Sequence, residues 1–386
     1  MLTRRRFMQG SALAAVMPAA FPNITFANAP GDHRLVILIL RGGMDGLDVL
    51  QPYSDANFKL MRPKLAGKLG SDIFDVDGEF GLHHSLKNLM PLFNSGELAF
   101  VPAVSTPYTR RSHFDGQDIL EAGTDGTSPI RDGWLNRLLE FLPGSTERYA
   151  VDVSKKRSMI LRGDQPVMRW HPQSDLDLNE IGEAFLEQLY AEDNLFRKAF
   201  AGAVRAEMED IDALTKGRRQ AAQNAARLIA KTMNQDARIA SASVGGWDTH
   251  IGQKNKINRP LEQLATFVQT LRTDMAANWE KTAVVAVSEF GRTARENGTG
   301  GTDHGYGGLL ILAGGALKGG IGGQVAKSKW PGLGQSDLYE GRDLKPTDDV
   351  RRYLAWLLAG LFPIGNSDIE RTVFPGLDLG DRIDIV

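Results

Sequence analysis

Short apolar runs alternate with longer amphipathic or charged segments along most of the chain. The runs predict five strands, at residues 35–40, 98–101, 238–244, 283–287 and 309–313. Residues 35–40 are apolar at every position, which is typical of a strand buried on both faces of a parallel sheet. The intervening segments predict helices, at roughly residues 85–94, 114–122, 181–200, 206–233, 261–278 and 348–361. Strands that alternate with helices predict an α/β protein, a three-layer sandwich with a mostly parallel central sheet.

One long segment departs from this alternation. Residues 145–235 begin with two β-like stretches, at 149–153 and 159–161, and continue into a long charged helical part. This pattern predicts a helical insertion or cap on a main domain that spans residues 30–386.

The first 29 residues are predicted to be an export signal. Three arginines at 4–6 precede a mildly apolar run, and Ala-Asn-Ala at 27–29 resembles a cleavage site. Consecutive arginines followed by a phenylalanine resemble the twin-arginine signal, which predicts the twin-arginine export machinery as a partner. The alternative is a basic start to an ordinary N-terminal helix. Prolines at 18 and 22 break the apolar run below the ~20 residues of a membrane span, so we predict a periplasmic, cell-surface or secreted protein without a permanent span.

Composition excludes several kinds of function. The 386 residues carry 45 Lys and Arg against 47 Asp and Glu, a net charge of −2. A duplex nucleic-acid binder usually has a basic field, so no nucleic-acid partner is predicted. The chain has no cysteine, which excludes disulfides, thiolate metal sites and a cysteine nucleophile. Any metal ion must therefore be held by histidine, carboxylate or hydroxyl groups.

Four of the seven histidines have an aspartate within two residues; His33 is set aside, and the other three pairs are candidate ligands. The pairs are His113 with Asp115, His250 with Asp248, and His304 with Asp303. His250 follows a predicted strand and His304 precedes one, both among glycines that let the backbone approach closely. Imidazole and carboxylate groups together are the ligands that Zn²⁺ or Mn²⁺ takes in proteins. These loops therefore predict a metal site at the edge of the sheet.

Three further loop residues have a functional and an ordinary interpretation. Asp45 follows the first strand and either binds a metal or caps a helix. Glu289 follows another strand and either binds a metal or pairs with Arg292. Ser112 precedes the predicted helix 114–122, where it is either a plain N-cap or a nucleophile. A hydroxyl at a helix N-terminus faces free N–H groups, which favours attack on phosphate or sulfate.

Five motifs occur in order along the mature chain. They are Arg-Gly-Gly-Met-Asp-Gly, Ser-His-Phe-Asp, Gly-Gly-Trp-Asp-Thr-His, Ser-Glu-Phe-Gly-Arg and Gly-Thr-Asp-His-Gly. Together they resemble an uncharacterised sulfatase-like family of twin-arginine-exported bacterial proteins within the alkaline phosphatase superfamily. The resemblance implies an alkaline-phosphatase-like fold with one or two divalent ions, zinc, manganese or calcium, at the strand ends.

The resemblance also implies roles for individual residues. The implied ligands are Asp45 after the first strand, the pair Asp248 and His250, Glu289 at a strand end, and His304 with Asp303. The superfamily usually carries Asp-His where this chain has Glu289-Phe290, and its Asp-to-His spacing is four residues where this chain has two. We therefore expect a single-metal site, or a shifted pair that uses His113.

The function implied is a metal-dependent hydrolase or transferase acting on a phosphate or sulfate ester of a small molecule or glycan. Ser112 would be the nucleophile, activated by the metal, and Arg292 or Arg111 would hold non-bridging oxygens. The alternative is an exported metal- or anion-binding or assembly protein that kept the fold without turnover.

Overall fold

The computed structural model describes residues 32–126, 131–142, 149–154, 158–170, 220–327 and 329–386. The predicted export signal at 1–29 and the predicted helix at 181–200 lie outside the described residues. The strands are β1 (Arg34–Arg41), β2 (Leu50–Gln51), β3 (Ile73–Asp75), β4 (Gly81–His83), β5 (Leu98–Ser105), β6 (Ala150–Val153), β7 (Met168–Arg169), β8 (Ile239–Gly245), β9 (Thr282–Val287), β10 (Gly308–Ala313) and β11 (Asp348–Asp349). The α-helices are α1 (Gly46–Val49), α2 (Ala56–Met61), α3 (Met90–Asn94), α4 (His113–Ala122), α5 (Trp134–Leu139), α6 (Ala221–Met233), α7 (Gln253–Lys256), α8 (Asn258–Met275), α9 (Val350–Leu361) and α10 (Asn366–Asp368). Three 3₁₀ segments, His84–Leu89, Ala276–Lys281 and Gly315–Leu317, and a π-helical turn, Ile369–Val373, complete the described helical structure.

Eight strands form the central sheet, in the order β11-β5-β10-β9-β1-β8-β6-β7. Strand β1 lies in the middle and pairs in parallel with β8 and β9. Among the described strands of this sheet, β10 alone runs antiparallel to its neighbours, β5 and β9. The prediction of an α/β fold with a mostly parallel sheet is confirmed.

Both faces of the sheet are covered, which explains the uninterrupted apolar runs. Val36, Leu38 and Leu40 of β1 belong to a core that includes residues of α6 and α8. The alternate residues of the same strand belong to a second core that includes residues of α5 and α9. Each fully buried Leu, Ile or Val contributes roughly 1.5–3 kcal/mol to folding. The fold is therefore three-layered, as predicted.

The ends of the predicted insertion belong to the main domain. Strand β6 pairs with β8 in the central sheet, and α6 packs on α8 in one helix layer. Both elements lie within the insertion predicted over 145–235, most of which is outside the described residues. The β-like stretch predicted at 159–161 is a turn. The helix predicted at 85–94 divides into the 3₁₀ segment His84–Leu89 and α3.

Five loops meet at one edge of the sheet. Four follow the carboxyl ends of β1, β5, β8 and β9, and the fifth precedes β10, whose reversed direction brings its amino end to the same edge. The loops after β1 and β8 touch closely: Gly42 has a φ of +123°, and a Cβ there would lie 2.8 Å from the backbone nitrogen of Asp248. Glycine permits this backbone conformation and this approach.

None of the described helices combines the length and the apolarity needed to cross a bilayer.

Candidate metal centre

Four side chains from two of these loops and the start of α4 converge at the sheet edge. We call them the His–Asp cluster: His113, Asp248, His250 and His304. Asp248 Oδ1 lies 2.9 Å from His250 Nε2, 3.2 Å from His304 Nε2 and 3.6 Å from His113 Nε2. The Nε2 atoms of His250 and His304 are 3.0 Å apart. Donor atoms of His113, Asp248 and His304 all lie within 4.8 Å of one another.

Each of the three imidazole rings makes a hydrogen-bond contact through its Nδ1 atom. The partners are Glu289 Oε1 at 2.7 Å from His113, Asp303 Oδ1 at 3.2 Å from His250, and the Arg111 carbonyl at 2.9 Å from His304. All three are oxygen acceptors and can take a hydrogen bond from a protonated Nδ1, the tautomer that a metal-binding Nε2 requires. In a neutral ring this leaves the Nε2 lone pair free and fixes its direction. Three lone pairs therefore point into the cluster.

This donor set fits a divalent cation. Atoms that share an ion at ~2.0–2.1 Å lie about 3.3 Å apart in a tetrahedral arrangement, and the observed separations around Asp248 Oδ1 bracket that value. His113 Nε2 is buried and has no hydrogen-bond partner among the described residues. Two unprotonated Nε2 atoms 3.0 Å apart also cannot satisfy each other. A bound cation removes both deficiencies.

The charges around the cluster also favour a cation. Asp248 is about half exposed, and Arg292 donates to its Oδ1 at 2.6 Å. Partial burial acts to raise the pKa of Asp248, but the hydrogen bond and charge of Arg292 outweigh it and lower the pKa to about 2. With neutral imidazoles, the carboxylates of Asp248, Glu289 and Asp303 and the one guanidinium leave two negative charges, which a divalent ion balances.

Glu289 and His113 form a buried hydrogen-bonded dyad. Burial acts to raise the pKa of Glu289, but His113, Gln117 and the Gly42 amide donate to the carboxylate and hold its pKa below the usual value. The same hydrogen bond raises the pKa of His113, against the effect of burial. Phe290 stacks on His113 with ring centroids 4.9 Å apart, so an apolar ring covers the dyad.

Asp45 does not lie with the cluster, which corrects its predicted place. Its side chain is buried, and Arg62 Nη1 donates to both carboxylate oxygens, at 2.9 and 3.0 Å. Gln253 donates to Oδ2 as well, and the Thr302 hydroxyl lies 3.1 Å from Oδ2 and 2.8 Å from Gln253 Oε1, to one of which it donates. The guanidinium of Arg62 thus supplies the positive charge that we expected from a metal ion. Asp45 is also the N-cap residue of α1, without a side-chain capping bond.

Glu289 and Asp303 stand behind the cluster rather than in it. Each contacts the Nδ1 atom of a cluster histidine, so in this structure both carboxylates bind imidazole rings, and the prediction that they are direct metal ligands stays a prediction. The pKa of Asp303 is lowered by hydrogen bonds from Asn297 and His250, against the effect of burial. Glu289 has no ion pair with Arg292 in the described residues, where its nearest cationic partner is His113.

The two arginines predicted to hold substrate oxygens, Arg292 and Arg111, instead bind other groups of the protein. The acceptors of the buried Arg292 are Asp248 and the carbonyls of Gly42, Gly43, Trp247 and Thr302, and its Nη1 also lies 3.5 Å from His250 Nε2. Arg292 therefore ties the loops together. Arg111 pairs with Asp343 at 2.7 Å and with Glu340, and what it presents to the cluster is its carbonyl. Its φ of +61° is a strained value for this residue and orients that carbonyl.

Ser112 lies beside the cluster as the N-cap residue of α4, directly before His113. Its side chain makes no capping hydrogen bond, and its amide donates to the Tyr108 hydroxyl at 3.0 Å. The helix is ten residues long, so its N-terminal dipole acts at the hydroxyl. Ser112 is therefore at the N-cap position, but no capping hydrogen bond fixes its hydroxyl.

Several supporting residues were missed by the sequence interpretation. Gln253 is buried between loops, donating to Asp45 and Asp48 and accepting from Thr249, with the Thr302 hydroxyl 2.8 Å from its Oε1. Gln117 lies four residues after His113 on α4 and reaches the same carboxylate. The helical spacing of Gln117 could have revealed it. Arg62, Gln253 and Asp343 carry no local signal, since their partners are distant in sequence.

Comparison with protein families gives one match. A family model described as Protein of unknown function (DUF1501) matches residues 101–372, which include the whole His–Asp cluster. No curated protein sequence matches the chain.

Several solved structures resemble the fold. The C-terminal periplasmic domain of EcEptC from Escherichia coli has a TM-score of 0.44 and 9% identity, over 91% of this chain and 88% of that one. The lipoteichoic acid synthase LtaP from Listeria monocytogenes has a TM-score of 0.41 and 9% identity, over 98% and 80%. A protein of the alkaline phosphatase superfamily from Vibrio parahaemolyticus has a TM-score of 0.37 and 12% identity, over 86% and 68%.

Proposed function

Since the chain belongs to the family described as Protein of unknown function (DUF1501), we propose its function from the site: a metal-dependent hydrolase or transferase acting on a phosphate or sulfate ester. The observation that carries the proposal is the convergence of three histidine Nε2 atoms on Asp248, each ring held through Nδ1 by an oxygen acceptor. Such backing of metal-binding histidines is the usual arrangement in metal sites.

We propose that His113, Asp248, His250 and His304 hold one divalent ion. Three imidazoles and one carboxylate suit zinc or manganese better than calcium, which prefers oxygen ligands. When bound, such an ion polarises an ester oxygen and stabilises negative charge on the attacking or leaving oxygen. Glu289 holds the proton at His113 Nδ1 and so keeps the Nε2 lone pair available.

Ser112 Oγ is the proposed nucleophile. It stands at the N-terminus of α4, without a capping bond, immediately before a cluster histidine. The helix dipole and the free N–H groups of the first turn favour an anionic ester there. The Ser112 oxygen would bond to phosphorus or sulfur as the ester alcohol departs with a proton, and water or a second alcohol would then release the group.

The test separates metal binding from turnover. The mature protein is loaded with Zn²⁺, Mn²⁺ or Ca²⁺ and its metal content is measured, followed by activity on aryl phosphates and aryl sulfates. Asp248→Ala and His250→Ala should lose metal and activity together. Ser112→Ala should keep the metal and lose activity. The exposed His84, outside the cluster, provides the control His84→Ala, which should change neither. Absence of bound metal in the wild type would refute the proposal.

A second candidate function is metal binding without ester turnover. Two observations favour it: both predicted oxyanion-holding arginines are occupied by protein partners, and four converging protein donors are the number found in closed structural zinc sites. In that case Ser112→Ala leaves the protein's function intact, and wild type binds metal without cleaving either ester class.

We also propose that the protein is exported by the twin-arginine machinery to the periplasm or cell surface. The support is the arginine-led N-terminal segment. Replacing Arg4 and Arg5 together by lysine should leave the protein in the cytoplasmic fraction, whereas Arg34→Lys, in the mature chain, should not.

A further inference from the structure

A cavity of about 240 Å³ lies next to the His–Asp cluster and shares residues with its supports. Asp303, which holds His250 Nδ1, is part of the cavity wall. Arg342, on the opposite loop, also lines it and donates from Nη1 to the His304 carbonyl at 3.0 Å. The cavity is therefore coupled to two cluster histidines. Its volume is about eight times the ~30 Å³ that a water molecule occupies in the liquid, enough for a small polyatomic group.

Two arginines of this wall keep donors free. The Arg295 side chain is exposed, and no hydrogen bond or ion pair to it is found among the described residues. Arg342 is 42% exposed and uses only Nη1, on the His304 carbonyl and Asp343. Its Nε and Nη2 groups are not used in the described part of the chain. Guanidinium groups bind phosphate and sulfate oxygens in bidentate fashion.

The other polar groups of the wall are largely engaged. Asn297 donates to Asp303 and to the His250 carbonyl, and accepts from two backbone amides. Glu296 accepts from the amides of Lys64 and Leu65. Asp303 Oδ1 accepts from His250 and Asn297. Glu296 Oε1 and Asp303 Oδ2 have no donor among the described residues, so these two carboxylates partly offset the two guanidinium groups, and the free donors of the wall are those of Arg295 and Arg342.

We propose that this cavity is an anion subsite that takes a phosphate or sulfate group through Arg295 and Arg342. It is distinct from the metal position, because the cavity wall contacts the cluster histidines through the His304 carbonyl, which accepts from Arg342, and through Asp303, which contacts Nδ1 of His250. The anion is either free in solution or a second charged group on the ester substrate.

Calorimetry with inorganic phosphate on metal-free, chelator-treated protein tests the subsite without using the metal. We expect binding that weakens about tenfold or more in Arg295→Gln, the loss typical of a charge-assisted hydrogen-bonded pair. Arg259→Gln, which removes another exposed arginine outside the cavity, should bind like wild type. Because Arg295 is exposed, its variant should fold, which circular dichroism can verify. No binding, or equal binding by wild type and Arg295→Gln, overturns the proposal.

Adding metal separates this site from the cluster. Phosphate that binds only to zinc-loaded wild type and is lost in His250→Ala occupies the cluster, which also overturns the subsite. Phosphate binding by the metal-free protein, combined with no activity of the metal-loaded protein on any ester, supports the subsite and contradicts the proposed function, so the two can fail separately.

A kinetic comparison, which rests on the proposed function, identifies the source of the anion. If the anion is a second group of the substrate, Arg295→Gln raises KM for a sugar bisphosphate and leaves KM for an aryl phosphate unchanged. If it is free, inorganic phosphate alters KM or kcat of the wild type towards an aryl sulfate, and this response is absent in Arg295→Gln.

Discussion

The substitution Glu289→Gln tests whether the buried carboxylate supports the proposed metal centre. Glu289 accepts from His113 Nδ1 at 2.7 Å, the shortest of the three Nδ1 contacts, and from Gln117 and the Gly42 amide. Glutamine preserves the shape and an acceptor oxygen, and its amide group can donate to the Ser288 hydroxyl. The substitution therefore removes the negative charge while it keeps most of the local packing.

The expected loss follows from what the charge does. It makes the His113 ring a stronger ligand and fixes its orientation, and it contributes one of the two net negative charges at the site. Removal of such a supporting partner typically costs 10–100-fold in metal affinity. That corresponds to about 1.4–2.7 kcal/mol. We therefore expect Glu289→Gln to bind Zn²⁺ about 10–100-fold more weakly than wild type.

The assay is competition of the mature protein against a zinc chelator at fixed pH. A double-mutant cycle with His113→Ala tests whether Glu289 acts through the His113 ring. If it does, Glu289→Gln should cause little further loss of zinc affinity once that ring is absent. The matched control is Glu97→Gln, another buried carboxylate, whose partners are Arg272, Trp279 and Lys318.

Two outcomes would refute the reasoning. Equal zinc affinities of Glu289→Gln and wild type would show that the carboxylate does not act on the site. Full additivity with His113→Ala would show that Glu289 acts by another route than the ring it contacts.

Three further predictions concern buried charges and amides. Asp343→Asn should weaken metal binding several-fold, because Asp343 binds both Arg111, whose carbonyl contacts the His304 ring, and Arg342, which donates to the His304 carbonyl. Chelator competition measures this affinity, and an unchanged value contradicts the prediction. Burial acts to raise the pKa of Glu97, but its cationic and indole partners lower it to about 2, so its stabilisation is present above the ordinary value of 4.5 and is lost as pH falls towards 2. This stabilisation is at most about 3 kcal/mol, and solvent screening of the half-exposed partners reduces it. Between pH 4.5 and pH 2, the free energy of unfolding measured in urea should therefore fall less in Glu97→Gln than in wild type. Gln253→Ala should lower the free energy of unfolding by about 1–3 kcal/mol, because it leaves buried carboxylate and hydroxyl groups unpaired; a loss below 0.5 kcal/mol in urea unfolding contradicts this.

The sheet could be predicted from the sequence because its strands are buried on both faces. Apolar runs identified β1, β9 and β10 at nearly their observed positions, and also β8, although it contains two serines. Strand β5 was predicted at 98–101 but continues through Pro102 to Ser105. The direction of a strand has no such signal, so the reversal of β10 was not predictable. That reversal nevertheless explains why a histidine before β10 lies at the same edge as residues that follow the other strands.

The loops of the site were predictable, whereas the directions of their side chains were not. Aspartate and histidine among glycines marked the loops of His250 and His304 correctly as neighbours. Whether a carboxylate faces the cluster or the back of an imidazole depends on rotamers and tertiary contacts, which is why Glu289 and Asp303 were expected to be ligands. Asp45 was misplaced because Arg62, the partner that engages it, approaches from the end of α2.

Buried arginines also bear on how many ions the edge of the sheet can hold. The second group of carboxylates, Asp45 and Asp48, is buried around Arg62 and Gln253. Burial first, and then the charge of Asp45, raises the pKa of Asp48 to about 6. One carboxylate of this pair is therefore balanced by a guanidinium, and the other takes a proton readily. Only the His–Asp cluster combines free lone pairs with uncompensated negative charge in the described residues, so we expect a stoichiometry of one ion per chain, which metal analysis of zinc-saturated protein measures; two ions per chain would contradict this charge balance.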